Sequence, residues 1–207
     1  MRIRSTVKKL GGWYDFPHHT GTRIMMMPVL LEDAESCPLV AWQSTVACLS
    51  NMAPTRAGVA YLTIDECFVP AGETQRRPGL HVDGLGGWGG PSPWASAGML
   101  VWASVRGARA WLGELDGDLD DDGGCEPLRS RLHELQEIPL MGGQVYHCGP
   151  LTIHEAVPMR VDTQRSFVRL SMPSDAPWFE GYTPNPLGVK PTGPILPRRE
   201  AQMGYRP

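Results

Sequence analysis

His81 and Asp83 stand two positions apart in the run Arg-Arg-Pro-Gly-Leu-His-Val-Asp-Gly, residues 76 to 84. Side chains of an extended segment alternate between faces, so this spacing sends an imidazole and a carboxylate out of one face and into one cavity. His154, in Leu-Thr-Ile-His-Glu-Ala, offers a third donor from a second extended segment, an imidazole among apolar neighbours. Two imidazoles and one carboxylate on one face of a metal leave the opposite positions open, which is the coordination of a catalytic rather than a structural site. Each residue also has an ordinary reading: His154 as a core histidine satisfied by a backbone carbonyl, and Asp83 as a turn residue before Gly84. Their joint occurrence favours the metal site. His18, His19 and His133 fall near a turn and on a short helical stretch, where ligands are not expected, and His147 is held as a reserve ligand. The acidic run Asp116 to Asp122 lacks the glycine and the terminal glutamate of a calcium-binding EF-hand loop and reads as solvated surface.

The residues around His154 strengthen this assignment. Gly-Gly-Gln-Val-Tyr-His-Cys-Gly-Pro-Leu-Thr-Ile-His-Glu-Ala-Val-Pro, residues 142 to 158, followed by Gln-Arg-Ser-Phe-Val-Arg-Leu-Ser-Met-Pro, residues 164 to 173, resembles the distal half of the Fe(II)- and 2-oxoglutarate-dependent dioxygenase superfamily. In that superfamily a glycine turn leads into a strand, then the distal ligand histidine, then a basic residue on the last core strand. The resemblance covers roughly residues 58 to 173, and Arg165 follows His154 by eleven residues, within the family's common range. It implies a double-stranded β-helix (a jelly roll, cupin-like) with a few peripheral helices, Fe(II) held by His81, Asp83 and His154, and 2-oxoglutarate as co-substrate. Succinate and CO2 would be released as a substrate is hydroxylated. Arg165 corresponds to the cation on the distal carboxylate of 2-oxoglutarate, a task suited to the planar guanidinium fork. Arg169 with Ser171 is the alternative, because Arg-Leu-Ser matches the Arg-x-Ser form of some branches and Arg165, Phe167, Arg169 and Ser171 share one strand face. Arg165 is preferred on the ground that Pro173 leaves little strand beyond Arg169. The long interval between Asp83 and His154 departs from the most compact members.

The elements that must position these residues are short strands. Twenty-four glycines and twenty prolines in 207 residues favour many turns over long helices, in a single domain large enough to bury a core without disulfides. One or two strands fit residues 1 to 31. Residues 39 to 52 form a buried helix or a strand pair. The stretch from Gly58 to Gly72 is β-rich, and a short strand carries His81 and Asp83. Residues 99 to 113 make a strand pair or a strand with a turn at Gly107, and residues 113 to 124 an acidic loop. Pro127 with Leu128, Leu132 and Leu135 predicts a short amphipathic helix ending before Pro139. Three further strands hold Tyr146, His154 and Phe167. The sum is a β-sandwich or jelly roll spanning 1–172, and the segment 173–207, with eight prolines, wraps the body or trails from it.

Residues 84 to 94, Gly-Leu-Gly-Gly-Trp-Gly-Gly-Pro-Ser-Pro-Trp, form a loop whose Trp88 and Trp94 suit a lid or substrate wall or ordinary packing, while Arg76 and Arg77 precede the first ligand and read as exposed loop charges or as residues that greet an anionic substrate. Substrate binding is therefore assigned to Arg77 and Trp88. The formal charge of −3 argues for a small or modestly sized substrate and against nucleic acid, despite basic residues at both ends (Arg2, Arg4, Lys8, Lys9; Lys190, Arg198, Arg199). No run approaches the length of a membrane span and no signal-peptide apolar core follows the basic N-terminus. Five cysteines without a Cys-x-x-Cys pair suit a reducing, cytoplasmic setting. Two readings from other classes compete: a cupin-like metalloenzyme that uses no oxoacid, and a non-catalytic jelly-roll binding module.

Overall fold

The computed structural model describes residues 1–13, 16–83, 98–120 and 123–197. Its elements in chain order are β1 (Arg2–Ser5), β2 (Val7–Trp13), β3 (Arg23–Leu30), α1 (Val40–Met52), β4 (Val59–Val69), β5 (Met99–Ala103), β6 (Ala108–Asp116), β7 (Gln136–Leu140), β8 (Gln144–Cys148), β9 (His154–Ala156), β10 (Thr163–Ser171), β11 (Trp178–Phe179) and β12 (Ile195–Leu196). Six strands pair antiparallel in the order β2-β8-β5-β10-β4-β3. A smaller antiparallel sheet is built on β6, which pairs with β7 along one side and with β9 and then β1. The chain is thus mainly β. Among the described residues no helix is long and apolar enough to cross a membrane.

Alternation along the strands decides what each face does. On β10, Val168 and Leu170 join Ile64, Leu100 and Val145 on the outer face of the larger sheet, where Trp42, Val46 and Leu49 of α1 cover them. The buried positions of α1 are Trp42, Thr45, Val46, Leu49 and Ser50, the three- and four-residue spacing of one helical face, which settles the choice left between helix and strand pair. Each fully buried side chain of this cluster contributes roughly 1.5–3 kcal/mol. The opposite faces meet between the sheets, where Val7, Met99, Tyr146 and Cys148 from the larger sheet pack with Ala110 from the smaller. Arg165, Phe167, Arg169 and Ser171 belong to this inner face, as the residues out of phase with Val168 and Leu170. A second apolar cluster, with Ile3, Leu80, Val82, Trp111, Leu115 and Ile153, backs the smaller sheet against Leu128 and Leu132.

Three expectations need correction. The helix predicted after Pro127 is a 3-10 helix, Glu126–Glu134. Its ion pairs, Glu126 with Arg129 and Arg131 with Glu134, are three residues apart, a spacing that 3-10 geometry brings into line. The acidic stretch from Gly113 is not wholly a loop, because β6 runs to Asp116 and sets Glu114 opposite Arg4 of β1, with Arg4 Nε donating to Glu114 Oε1 at 2.9 Å. The segment carrying His81 is not a regular strand: it makes isolated bridges to His154 on one side and Gly124 on the other.

The Pro-rich C-terminal segment, as far as residue 197, packs across β3, an edge of the larger sheet. Trp178 Nε1 donates to Met26 O at 2.9 Å, Thr183 N donates to Met25 O at 2.9 Å, and Asn185 Nδ2 donates to Pro28 O at 2.7 Å and Ser36 O at 2.8 Å. An edge strand covered in this way is shielded from pairing with another chain. Its register shifts between Ile24 and Met27, and Met26 takes a left-handed φ of 51° there.

Candidate metal centre

His81 and His154 are neighbours because their backbones pair. His81 N donates to His154 O and His154 N donates to His81 O, both at 3.0 Å, while Val82 N donates to Gly123 O and Cys125 N to Leu80 O, both at 2.9 Å, on the other side. Leu80, Val82 and Ile153 point to the apolar cluster behind the sheet, so the intervening His81 and His154 point inward with Ala110, the cross-strand neighbour of His154. The imidazole centroids are 4.3 Å apart.

Both rings are held in the same manner. His81 Nδ1 lies 2.8 Å from Gly79 O and His154 Nδ1 lies 2.8 Å from Thr152 O, in each case the carbonyl two residues earlier. A carbonyl accepts only, so each Nδ1 carries a proton, the outer hydrogen bonding found behind metal-ligating histidines that coordinate through Nε2. Asp83 Oδ1 is 4.0 Å from His81 Nε2 and Asp83 Oδ2 is 3.7 Å from His154 Nε2. One donor atom from each residue lies within 4.8 Å of the others, and this is the group of metal-ligand type among the described residues. Side-chain movements of the order of 1 Å close such a set onto an ion with bonds of roughly 2.1 Å. His81 is buried, whereas the side chains of Asp83 and His154 are 27% and 21% exposed, so the centre opens on one side. Burial, followed by the neighbouring His154, pushes the His81 imidazole down to about 4, which keeps it neutral and able to coordinate at neutral pH. Burial alone would push the Asp83 carboxyl up; Arg169, then His154, His81 and Arg76, outweigh it and hold the group well below the usual carboxylate range. Two imidazoles with one carboxylate fit a divalent metal of the nitrogen- and oxygen-preferring kind.

The two arginines of β10 have different surroundings. Arg169 Nη1 donates to Asp83 Oδ2 at 3.0 Å and Nη2 approaches Met26 Sδ at 3.6 Å, while its Nε is buried without a hydrogen-bond partner. Ser171, buried, has its Oγ 4.0 Å from the same sulfur. Arg165 is 2% exposed, donates from Nε to Val105 O at 3.0 Å and from Nη1 to Gln75 Oε1, and lies 5.8 Å from the centroid of Phe167. Among the described residues no carboxylate is within 4.0 Å of it. Burial, followed by Arg76, lowers its pKa to about 10, and it remains a cation. Arg165 lines a small cavity with Val101, Ala108, Tyr146 and Phe167, to which His81, Asp83 and His154 do not contribute. β10 continues through Ser171, so strand length does not separate the two arginines; what separates them is that Arg169 hydrogen-bonds Asp83, whereas Arg165 makes no ion pair among the described residues and feels Asp65 only at longer range.

Of the remaining sequence-predicted residues, Arg77 is half-buried and acts electrostatically on His81 and Cys125, and Trp88 lies outside the described residues. His147 is the cross-strand neighbour of Leu100, which faces α1, so it points away from the centre; His18, His19 and His133 are also outside the ligand group. Sequence reasoning missed Gln75, Met26 and the carbonyls of Gly79 and Thr152. Nothing in the sequence marks Gln75 or Met26, whereas the two carbonyls follow from the repeated spacing of two residues before a histidine. No protein-family model, curated protein or solved structure matches the chain.

Proposed function

We propose that this chain is a non-haem Fe(II)- and 2-oxoglutarate-dependent oxygenase on a double-stranded β-helix, hydroxylating a small or modestly sized substrate. The observation that carries this reading is the His81, Asp83, His154 set together with a buried Arg165 on the inner face of the larger sheet that makes no ion pair among the described residues. A buried cation costs several kcal/mol unless an anion accompanies it, and an oxoacid that chelates a metal at one end and ends in a carboxylate answers both features. The two facing sheets, with the histidines on the smaller, accord with that fold, and the five free cysteines accord with a cytoplasmic setting.

In this reading His81 and His154 present Nε2 to the iron, and Asp83 supplies the one anionic ligand. Bound iron supplies oxygen activation, with 2-oxoglutarate as the source of two electrons. Arg165 pairs with the distal carboxylate, and Gln75 and the Val105 carbonyl hold its guanidinium in place. Val101, Tyr146 and Phe167 are apolar neighbours of Arg165 in the cavity it lines. Arg169 fixes the Asp83 carboxylate. The balance is one 2-oxoglutarate, one O2 and one substrate C–H converted to succinate, CO2 and C–OH.

The test is succinate formation by protein supplied with Fe(II), 2-oxoglutarate, ascorbate and air. Slow turnover is expected even without the hydroxylated substrate, abolished in His154→Ala and Asp83→Ala, and requiring at least tenfold more 2-oxoglutarate in Arg165→Lys. Succinate output that is the same in His154→Ala and wild type would refute the assignment.

A further inference from the structure

Around Asp83 the inner face carries more positive charge than the oxoacid needs. Four guanidinium groups, those of Arg23, Arg76, Arg165 and Arg169, are set against two carboxylates, Asp65 and Asp83. Arg23 Nε and Arg76 Nη1 share Asp65, at 3.1 Å and 3.2 Å, and Asp65 is 3% exposed. Arg76 also sits over the ring of Phe167, 5.1 Å from its centroid, and feels both Arg169 and Asp83 electrostatically, so it belongs to the metal centre rather than to the surface loop. With Asp65 shared by Arg23 and Arg76, and Asp83 shared by Arg169 and the metal, each of these two carboxylates answers more than one cation. The loop that follows Asp83, residues 84 to 97, contains no Asp or Glu that could supply the missing charge. The side chains of Arg76 and Arg169 are 25% and 15% exposed, within reach of a ligand entering the open side of the centre.

We propose that the molecule oxidised here carries a carboxylate, phosphate or sulfonate group, and that Arg76 and Arg169 bind this group beside the metal. The proposal rests on the oxygenase reading for the word oxidised, but not for the anion site. Two guanidiniums within mutual repulsion distance gain from a shared anion, and their planar forks suit its oxygens. Phe167 lies between Arg165 and Arg169 in the strand, and the guanidiniums of Arg76 and Arg165 stand 5.1 and 5.8 Å from its ring centroid. Arg77, half-buried, acts electrostatically on His81 and Cys125.

The experiment is calorimetric titration of the anaerobic Fe(II) and 2-oxoglutarate form, at constant ionic strength, with inorganic phosphate, phenyl phosphate and benzoate against phenol and benzamide as neutral counterparts. The visible band of the chelated oxoacid is recorded on the same samples. Expected are at least tenfold tighter binding of an anion than of its neutral counterpart, a loss of at least tenfold in Arg76→Gln, and partial recovery in Arg76→Lys. Equal affinity for anion and neutral probe, no measurable anion binding, or an Arg76→Gln affinity equal to wild type overturns the proposal. An absent band with Arg76-dependent anion binding intact removes the oxygenase reading and leaves the anion site standing.

Discussion

The backbones of His81 and His154 exchange two hydrogen bonds of 3.0 Å each, and the two imidazoles are each tied at Nδ1 to the carbonyl two residues earlier, 2.8 Å away. The ligands are therefore ordered before any metal arrives, and the backbone pairing does not depend on either ring. His154→Ala is expected to lower Fe(II) or Mn(II) affinity by at least two orders of magnitude while leaving the metal-free protein within about 1 kcal/mol of wild type, the usual range where no buried charge is stranded. Metal should raise the melting temperature of wild type and not of the variant, as mass action requires. Thermal unfolding with and without metal checks both statements.

Asp83 is different, because it also accompanies Arg169. Removing it as Asp83→Ala leaves a largely buried guanidinium without its acid, a change expected to cost about 1–3 kcal/mol in the metal-free protein. Denaturant titration of Asp83→Ala beside His154→Ala should show the larger loss in the former. Equal stability of the two variants would mean that the Arg169 pair contributes nothing.

Gly107 makes room for Arg165. A Cβ built on Gly107 would stand 2.7 Å from the Arg165 Cζ and Nε, inside any tolerable contact. Gly107→Ala should therefore displace the guanidinium, weakening 2-oxoglutarate binding by at least tenfold while metal affinity stays at the wild-type value. Separate titrations with metal and with the oxoacid distinguish this from general unfolding, which would lower both.

Glu66 lies on the outer face of β4, 1% exposed, and is held by neutral dipoles: the N–H groups of Thr20 and Thr22 at 3.1 and 2.9 Å and the hydroxyls of Thr20 and Ser166 at 3.1 and 2.9 Å. Burial pushes this carboxyl up, but the Thr22 and Thr20 amides and the two hydroxyls outweigh it, and the net displacement is downward. A group whose folded pKa is depressed contributes stability above its unfolded value, roughly 4.3, and loses it as pH falls through the folded value. Glu66→Gln is expected to cost about 1–3 kcal/mol at pH 7, and the gap to wild type should shrink below about pH 4. Urea titrations from pH 3 to 7 measure it.

Much of the centre was legible in the sequence because strand alternation is a strict rule. The two-residue spacing of His81 and Asp83 put them on one side, and the shared phase of Arg165, Phe167, Arg169 and Ser171 put four residues on one face of β10. Regular pairing was less legible where tertiary contacts overrode local pattern. The His81 segment is extended by its neighbours rather than by its own strand, and Glu114 is a strand residue that faces Arg4 and ion-pairs with Arg2. The choice between Arg165 and Arg169 could not come from spacing, since it depends on where the Asp83 side chain ends. Arg76 reads as a loop charge in sequence, and only packing against Phe167 and Asp65 moves it inside.

The most direct test of the central claim is an anaerobic titration of the protein with Fe(II) and then 2-oxoglutarate, following the weak visible charge-transfer absorption of a metal-chelated oxoacid in wild type, Arg165→Lys and Arg169→Gln. The expected result is a band in wild type that needs at least tenfold more 2-oxoglutarate in Arg165→Lys, and that in Arg169→Gln forms with an altered Fe(II) requirement, because Arg169 acts on Asp83. Bound iron with no band at saturating 2-oxoglutarate would contradict the oxygenase assignment, and no bound iron at all would contradict the metal centre itself.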